Sequence, residues 1–360
     1  MLLTYIAIGV ALFFAMNIGA SGTAASMGAP YGAGAIQNKR LALLLVAVSA
    51  FLGAFLGGGE VVKTIGEGII PANILDVEIV VIILLGATLT LFIANIIGIP
   101  LSTSEVTVGA IIGVGAAFQA LYTDTLLVIL AFWVIIPVGS FLITYVLGWL
   151  IHYSENRWNN LKVNGPWTKW LSVLLVMGGC LEAFSAGMNN VANAIGPLVG
   201  ANMISSDNGL LMGALFVSLG ALFLGSRVLE TNGKKITKLS LLQGSAVSFT
   251  GGTLVIIASI FGLPIPLTQV TTCGILGVGA AKDGFSILKK SVIKKIALVW
   301  IISPLASLTV SYLLINLFSK FDIYNVLIVC SAIIVAVGSM ALSRIERAEK
   351  RSFHDAGGGI

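Results

Sequence analysis

Two short stretches define the chemistry open to this chain. Pro100-Leu101-Ser102-Thr103-Ser104-Glu105 and Pro264-Ile265-Pro266-Leu267-Thr268-Gln269 each set proline, hydroxyls and an acid or amide between apolar runs. Proline stops the helix before it, and a Ser or Thr just beyond is placed to cap the helix that follows. The free N–H groups of such a helix start, with roughly half a positive charge, suit an anion. Two further stretches are small and amide-rich, Asn17-Ile18-Gly19-Ala20-Ser21-Gly22-Thr23 and Asn189-Asn190-Val191-Ala192-Asn193. They too read as interruptions in apolar helices, and four helix termini together would offset about two negative charges without a buried Lys or Arg. The plainer alternative is that Ser and Thr beside a proline satisfy carbonyls freed in a kinked helix. Recurrence of the pattern in both halves of the chain favours the anion site. Glu105 is an acid inside an apolar run, which marks it as functional. Glu60 and Glu182 lie nearer the ends of such runs, where a solvated or paired role is equally open.

The elements that must hold these residues are membrane helices. Of 360 residues 57% are hydrophobic and 10% charged, against about a quarter charged in a soluble domain. Apolar runs, most of them near the ~20 residues that cross a hydrocarbon core, predict an all-α polytopic membrane protein with ten to twelve passes. No Lys or Arg precedes the apolar part of residues 2–17, so this run reads as a first span rather than a signal peptide. The net charge of +5 sits in loops and tail, the positive-inside pattern of a membrane protein rather than a nucleic-acid footprint. Cys180, Cys273 and Cys330 lie far apart in apolar runs and predict core residues, not disulfides or a metal site. His152 and His354 fall in a loop and the tail, and no DDxxD cluster occurs. Intramembrane metal or isoprenoid-phosphate chemistry is therefore not expected, nor is an enzyme, a resident metal or a cofactor.

The chain repeats itself. "FLGAFLGGGEVVKTIGEGI" at 51–69 pairs with "SLGALFLGSRVLETNGKKI" at 218–236, "GIPLSTSEVTVGAIIGVGAA" at 98–117 with "GLPIPLTQVTTCGILGVGAA" at 262–281, and "WVIIP" at 133–137 with "WIISP" at 300–304. The order is kept at a spacing of about 165 residues, which marks a duplicated unit. Corresponding loops carry opposite charge bias: 37–40 is basic where 206–208 is not, 66–78 has no Lys or Arg where 233–238 has three lysines, and 119–125 has none where 282–295 has five. Basic loops lie in the cytoplasm, so the two repeats are expected to be inverted in the membrane. That predicts a first repeat at 1–150, a cytoplasmic linker at 151–169, a second repeat at 170–318, an added helix at 319–343 and a cytoplasmic tail at 344–360, with the N-terminus outside. Inverted repeats with broken helices and re-entrant hairpins are the architecture of secondary transporters, whose substrate site lies where the repeats meet.

These segments carry a family resemblance. The chain resembles the inorganic phosphate transporter family, whose halves each bear G-A-N-D-V-A-N and P-V-S-T-T-H motifs. They stand here as "AMNIGAS" (15–21), "GMNNVAN" (187–193), "PLSTSE" (100–105) and "PIPLTQ" (264–269). The resemblance implies a cation-coupled oxyanion symporter in the cell membrane, often a homodimer. By matched position it implies an anion site of Ser21, Ser102, Thr103, Asn193 and Thr268, and a cation site around Asn17, Asn189 and Asn190. Both motif aspartates are replaced, by Ile18 and Asn190, and both histidines, by Glu105 and Gln269. Phosphate near neutral pH carries a P–OH donor that wants a carboxylate acceptor, whereas sulfate offers acceptors only. A mismatched buried site rejects an analogue strongly, so the pattern suits sulfate and is similar to the sulfate permease branch of the family. A dianion moving inward against the potential costs ~4.6 kcal/mol per 100 mV, which calls for at least two coupling cations. With the aspartates gone, a protonatable carboxylate is expected to serve, Glu105 before Glu60 or Glu182, while sodium held by Asn amides and carbonyls stays open. A sodium-coupled phosphate symporter of the same fold is the alternative expectation, and an anion channel a more distant one.

Overall fold

The computed structural model describes residues 1–97, 101–158, 165–233, 239–287 and 290–331. Pro100, residues 159–164 of the linker, most of the basic loop at 233–238, and the tail with much of the expected last helix lie outside the described residues. Eleven helices are used below: α1 (Leu2–Gly32), α2 (Lys39–Gly57), α3 (Gly59–Lys63), α4 (Val77–Ile97), α5 (Thr103–Phe118), α6 (Thr123–Arg157), α7 (Thr168–Gly200), α8 (Ser206–Gly233), α9 (Leu241–Ile260), α10 (Leu267–Asp283) and α11 (Lys290–Leu314). Eight helices among the described residues are long and apolar enough to cross a membrane, and α5 is a shorter apolar helix of 16 residues. Their local starts are ordinary. The Asn38 side chain accepts from the amides of Arg40 and Leu41 to open α2, and Ser240 with Gln243 forms a capping box at α9.

The halves interlock by exchanging partners. α1 packs along α8 and α2 along α7; α5 packs along α11 and α6 along α10. Glycines set the close approaches. A Cβ on Gly19 of α1 would strike the Val217 backbone of α8, and one on Gly220 of α8 would strike the Met16 backbone of α1. The α2 and α7 pair repeats the device, with Gly53 against Phe184 and Gly187 against Ala50. Small residues at such crossings replace the hydrophobic drive that lipid removes with tight van der Waals contact. Gly220→Ala is therefore expected to destabilise by about 1–3 kcal/mol through overpacking, although alanine is the better helix former by about 1 kcal/mol. Gly139→Ala in α6, where nothing lies within 4 Å, is the control expected to be neutral or slightly stabilising. Thermal midpoints of the two variants in detergent check the contrast.

The helices break between α4 and α5 and between α9 and α10 and not at the amides, while Pro30, Pro137, Pro197 and Pro304 lie inside continuous helices. α4 ends at Ile97 and α5 starts at Thr103, and α9 ends at Ile260 while α10 starts at Leu267. The amide-rich segments, expected to be interrupted, are instead continuous: residues 17–23 lie within the 31 residues of α1 and residues 187–193 within the 33 of α7. The reason is local. An amide side chain does not remove a backbone donor as proline does, and Asn17 returns its Nδ2 to the Phe13 carbonyl of its own helix at 2.9 Å. Two helix starts, not four, are thus brought inward.

Candidate functional site

The two breaks meet the middle of α7. Asn189 holds the second break in place: its Nδ2 donates to Ser259 Oγ at 2.8 Å and the Leu263 carbonyl at 2.9 Å, and its Oδ1 accepts from the Ile265 amide at 2.9 Å. Trp133 of α6 steadies the same break, donating Nε1–H to the Pro264 carbonyl at 2.8 Å. Bare carbonyls and amides at this depth need such partners, because the apolar surroundings offer none.

One turn along α7 the amides turn to the first break. Asn193 donates to Ser104 Oγ at 3.2 Å, to Thr103 Oγ1 at 3.4 Å and to Asn190 Oδ1 at 3.4 Å, and Ser104 donates to Asn190 Oδ1 at 3.2 Å and to the Ile265 carbonyl at 3.3 Å. Ser102, Thr103, Ser104, Asn190 and Asn193 are all buried. These bonds are longer than the usual 2.9–3.0 Å, so the donors hold one another weakly and an oxyanion offers them better acceptors. Ser102 stands at the cap position of α5 in extended conformation, yet its hydroxyl makes no capping bond. The start of α5 is therefore left to the macrodipole, and no Lys or Arg is among the buried described residues to supply charge. The cluster is neutral and rich in donors, suited to a fully ionised anion.

The expected site residues fall into two groups. Ser102, Thr103, Asn189, Asn190 and Asn193 come together. Asn17, Ser21 and Thr268 do not join them: Asn17 and Ser21 bond their own helix, Ser21 through the Ile18 carbonyl at 3.0 Å, and Ser21 and Thr268 are exposed. α10 begins at Leu267 behind Pro266 as its cap residue, and this register turns Gln269 inward in place of Thr268. Gln269 is 3% exposed with its Oε1 unpartnered. Ser104, completely buried, is the hub not singled out from sequence; its place between two expected ligands in "STS" was the available signal. Ser104→Ala is accordingly expected to raise the dissociation constant of the anion about tenfold, the worth of one hydrogen bond at ~1.4 kcal/mol, and Thr268→Ala less than twofold. Equilibrium binding of labelled anion to both purified variants checks the ranking.

The acids separate cleanly. Glu105 is 1% exposed, lies against Ser303 of α11 and the Ser102 amide, and keeps Oε1 without a partner. Glu60 is exposed and pairs with Lys63 at 2.7 Å, the solvated role left open above. Glu182 is buried and bonded to Thr271.

The model of the family described as "Phosphate transporter family" matches residues 18–311, a span containing both breaks and the amides of α7. The chain belongs to the phosphate transporter family. The protein named sulfate permease CysP of Bacillus subtilis (strain 168) is 52% identical over 354 residues, 98% of this chain and 99% of that one. A solved structure titled "The sodium-dependent phosphate transporter" superposes with a TM-score of 0.76 at 27% identity, covering 87% of this chain and 98% of the other. The chain is thus a multi-pass membrane transporter of this family and not an enzyme, and the donor cluster on α7 and α5 lies within the matched region.

Proposed function

We propose that the protein imports sulfate across the cell membrane by cation-coupled symport, with protons as the favoured coupling ion. The observation that carries the reading is the cluster itself: hydroxyl and amide donors from Ser102, Thr103, Ser104 and Asn193, with Asn190 where the family motif has aspartate. Sulfate offers acceptors only and is served by donors. The 52% identity to a protein named sulfate permease points the same way. Protons are favoured because a buried acid with a free oxygen, Glu105, stands in the first turn of α5, next in sequence to Ser104. Thiosulfate and related oxyanions share the charge pattern and belong to the same substrate class.

The wider arrangement is part of this proposal: inverted repeats at 1–150 and 170–318 joined by a cytoplasmic linker at 151–169, a further helix at 319–343, a cytoplasmic tail at 344–360, the N-terminus outside, and assembly as a homodimer. The reciprocal pairings of α1 with α8, α2 with α7, α5 with α11 and α6 with α10 support the repeats, and the charge bias of the loops supports their inversion. A sodium-coupled phosphate symporter is the second reading, favoured by the neighbour titled a sodium-dependent phosphate transporter.

Uptake of labelled sulfate into proteoliposomes, under proton and sodium gradients imposed separately and with competing anions, decides between them. Entry driven by the proton gradient and competed by thiosulfate is expected. Entry abolished by excess phosphate but not by thiosulfate, or driven by sodium alone, would replace the first reading by the second.

A further inference from the structure

A second buried acid has surroundings that the anion cluster does not use. Glu182 of α7 is 1% exposed. Its Oε1 accepts a hydrogen bond from Thr271 Oγ1 of α10 at 2.6 Å, and its Oε2 has no partner. The carboxyl borders a small cavity of about 10 Å³, whose polar wall is Glu182, Ser248 and Thr271 and whose apolar wall includes Ala25, Ala29 and Ile275. That volume is about one water probe, and the cavity offers the water polar partners. Among the described residues no other titratable group lines it: neither Cys180 on α7 nor Cys273 on α10 does, and α1 and α9 contribute only apolar residues and Ser248.

Position gives this pocket a direction. Glu182 precedes Asn189 by seven residues, about 10 Å along the helix axis, on the side of α7 that starts at Thr168 beside the basic linker. Leu239, just after the basic loop at 233–238, also lines the cavity. On the orientation proposed above, the pocket lies between the anion cluster and the cytoplasm, whereas Glu105 lies level with the cluster. Among the described residues Glu105 and Glu182 are the two buried acids, each with an unpartnered oxygen, and no buried Lys or Arg accompanies them. Bearing charge in such a place is costly, so gaining and losing a proton there is an event large enough to be coupled to movement of another charge.

We propose that Glu182, with Thr271 and Ser248 around a single water, is a second proton-carrying site, so that each sulfate crosses with two protons, one on Glu105 and one on Glu182. The inference rests on the sulfate and proton reading above and deepens it. Both carboxyls bind a proton on the outside-facing side of the cycle and release it to water on the cytoplasmic side, so charge balances: two protons and one dianion cross together with no net charge. Transport is then indifferent to membrane potential and driven by twice the pH difference.

The test is a reversal measurement in proteoliposomes with the potential clamped at zero. The outward sulfate gradient that just stops net uptake is found for an imposed difference of about one pH unit. Each coupled proton is worth about a tenfold gradient. Wild-type protein is expected to balance about a hundredfold sulfate gradient and Glu182→Gln about a tenfold one, with sulfate affinity unchanged within about twofold. A wild-type balance near tenfold overturns the proposal without any variant, and a Glu182→Gln protein that still balances a hundredfold gradient overturns the role of Glu182. Where that variant does not reconstitute, Ser248→Ala with Thr271→Val takes its place: it keeps the carboxyl but removes the hydroxyls that receive it when ionised, so about tenfold is expected and a hundredfold balance overturns the site. Failure of the underlying reading looks different, since wild-type uptake would then ignore the proton gradient and follow sodium.

Discussion

Glu105→Gln is expected to lower sulfate accumulation on an imposed pH gradient at least tenfold, while sulfate exchange across the membrane stays within about twofold of wild type. Glutamine keeps the volume of the side chain and can still meet the Ser102 amide and Ser303, the groups against which Glu105 lies. What it loses is the ability to take and release a proton. Exchange requires binding, reorientation and release of the anion but no net movement of the coupling ion, so it isolates the conformational cycle from coupling. A purely structural role for Glu105 would lower both activities together, because a misformed α5 start also misplaces Ser104 and Thr103. The size of the expected loss is that of one proton per sulfate, about tenfold for each pH unit. A variant that still concentrates sulfate as well as wild type on a pH gradient would move coupling away from this residue.

The contrast between Glu105 and Glu182 explains much of what could be read from the residues alone. Glu105 stands beside proline and several hydroxyls, a pattern that suggests a helix break, although Ser303-Pro304 inside the continuous α11 shows that proline and a hydroxyl do not by themselves require one. Glu182 lies near the end of an apolar run, where depth is ambiguous. Only the 33-residue length of α7, which continues through the amides to Gly200, puts Glu182 in mid-helix. The amide segments misled for a related reason. Polarity within an apolar run suggests interruption, but Asn189 and Asn193 serve the backbone of a neighbouring break rather than breaking their own helix.

The repeat in sequence predicts equivalent places for matched segments, and the helices pair crosswise, α1 with α8 and α2 with α7. It did not reveal how unequal those places are. Ile18, matched with Asn190 through the shared motif, is 3% exposed and packs in the apolar core, and Asn17 and Ser21 turn to their own helix. The cluster is therefore built mainly by one half's amides and the other half's hydroxyls. A one-residue difference in where α10 starts decides whether Thr268 or Gln269 faces inward, and the terminal residue of a helix is what a sequence pattern specifies least well.

Asn190→Asp is expected to reduce sulfate affinity at least a hundredfold and to make uptake sensitive to phosphate. Asn190 Oδ1 already accepts from Ser104 and Asn193, so aspartate fits the same space and keeps the same bonds. Its added charge would stand a few ångströms from a bound dianion. At about 5 Å and an effective dielectric constant near 20, that repulsion is on the order of 6 kcal/mol, well above the ~2.7 kcal/mol of a hundredfold loss. A phosphate species with a P–OH group offsets part of the repulsion by donating to the new carboxylate, a bond sulfate cannot make, so discrimination shifts through a gained attraction and a gained repulsion together. Competition of labelled sulfate binding by phosphate, in wild type and variant at one pH, measures both. If the variant binds sulfate as tightly as wild type and still ignores phosphate, Asn190 does not touch the anion, and the donors around Ser104 select their substrate by some other contact.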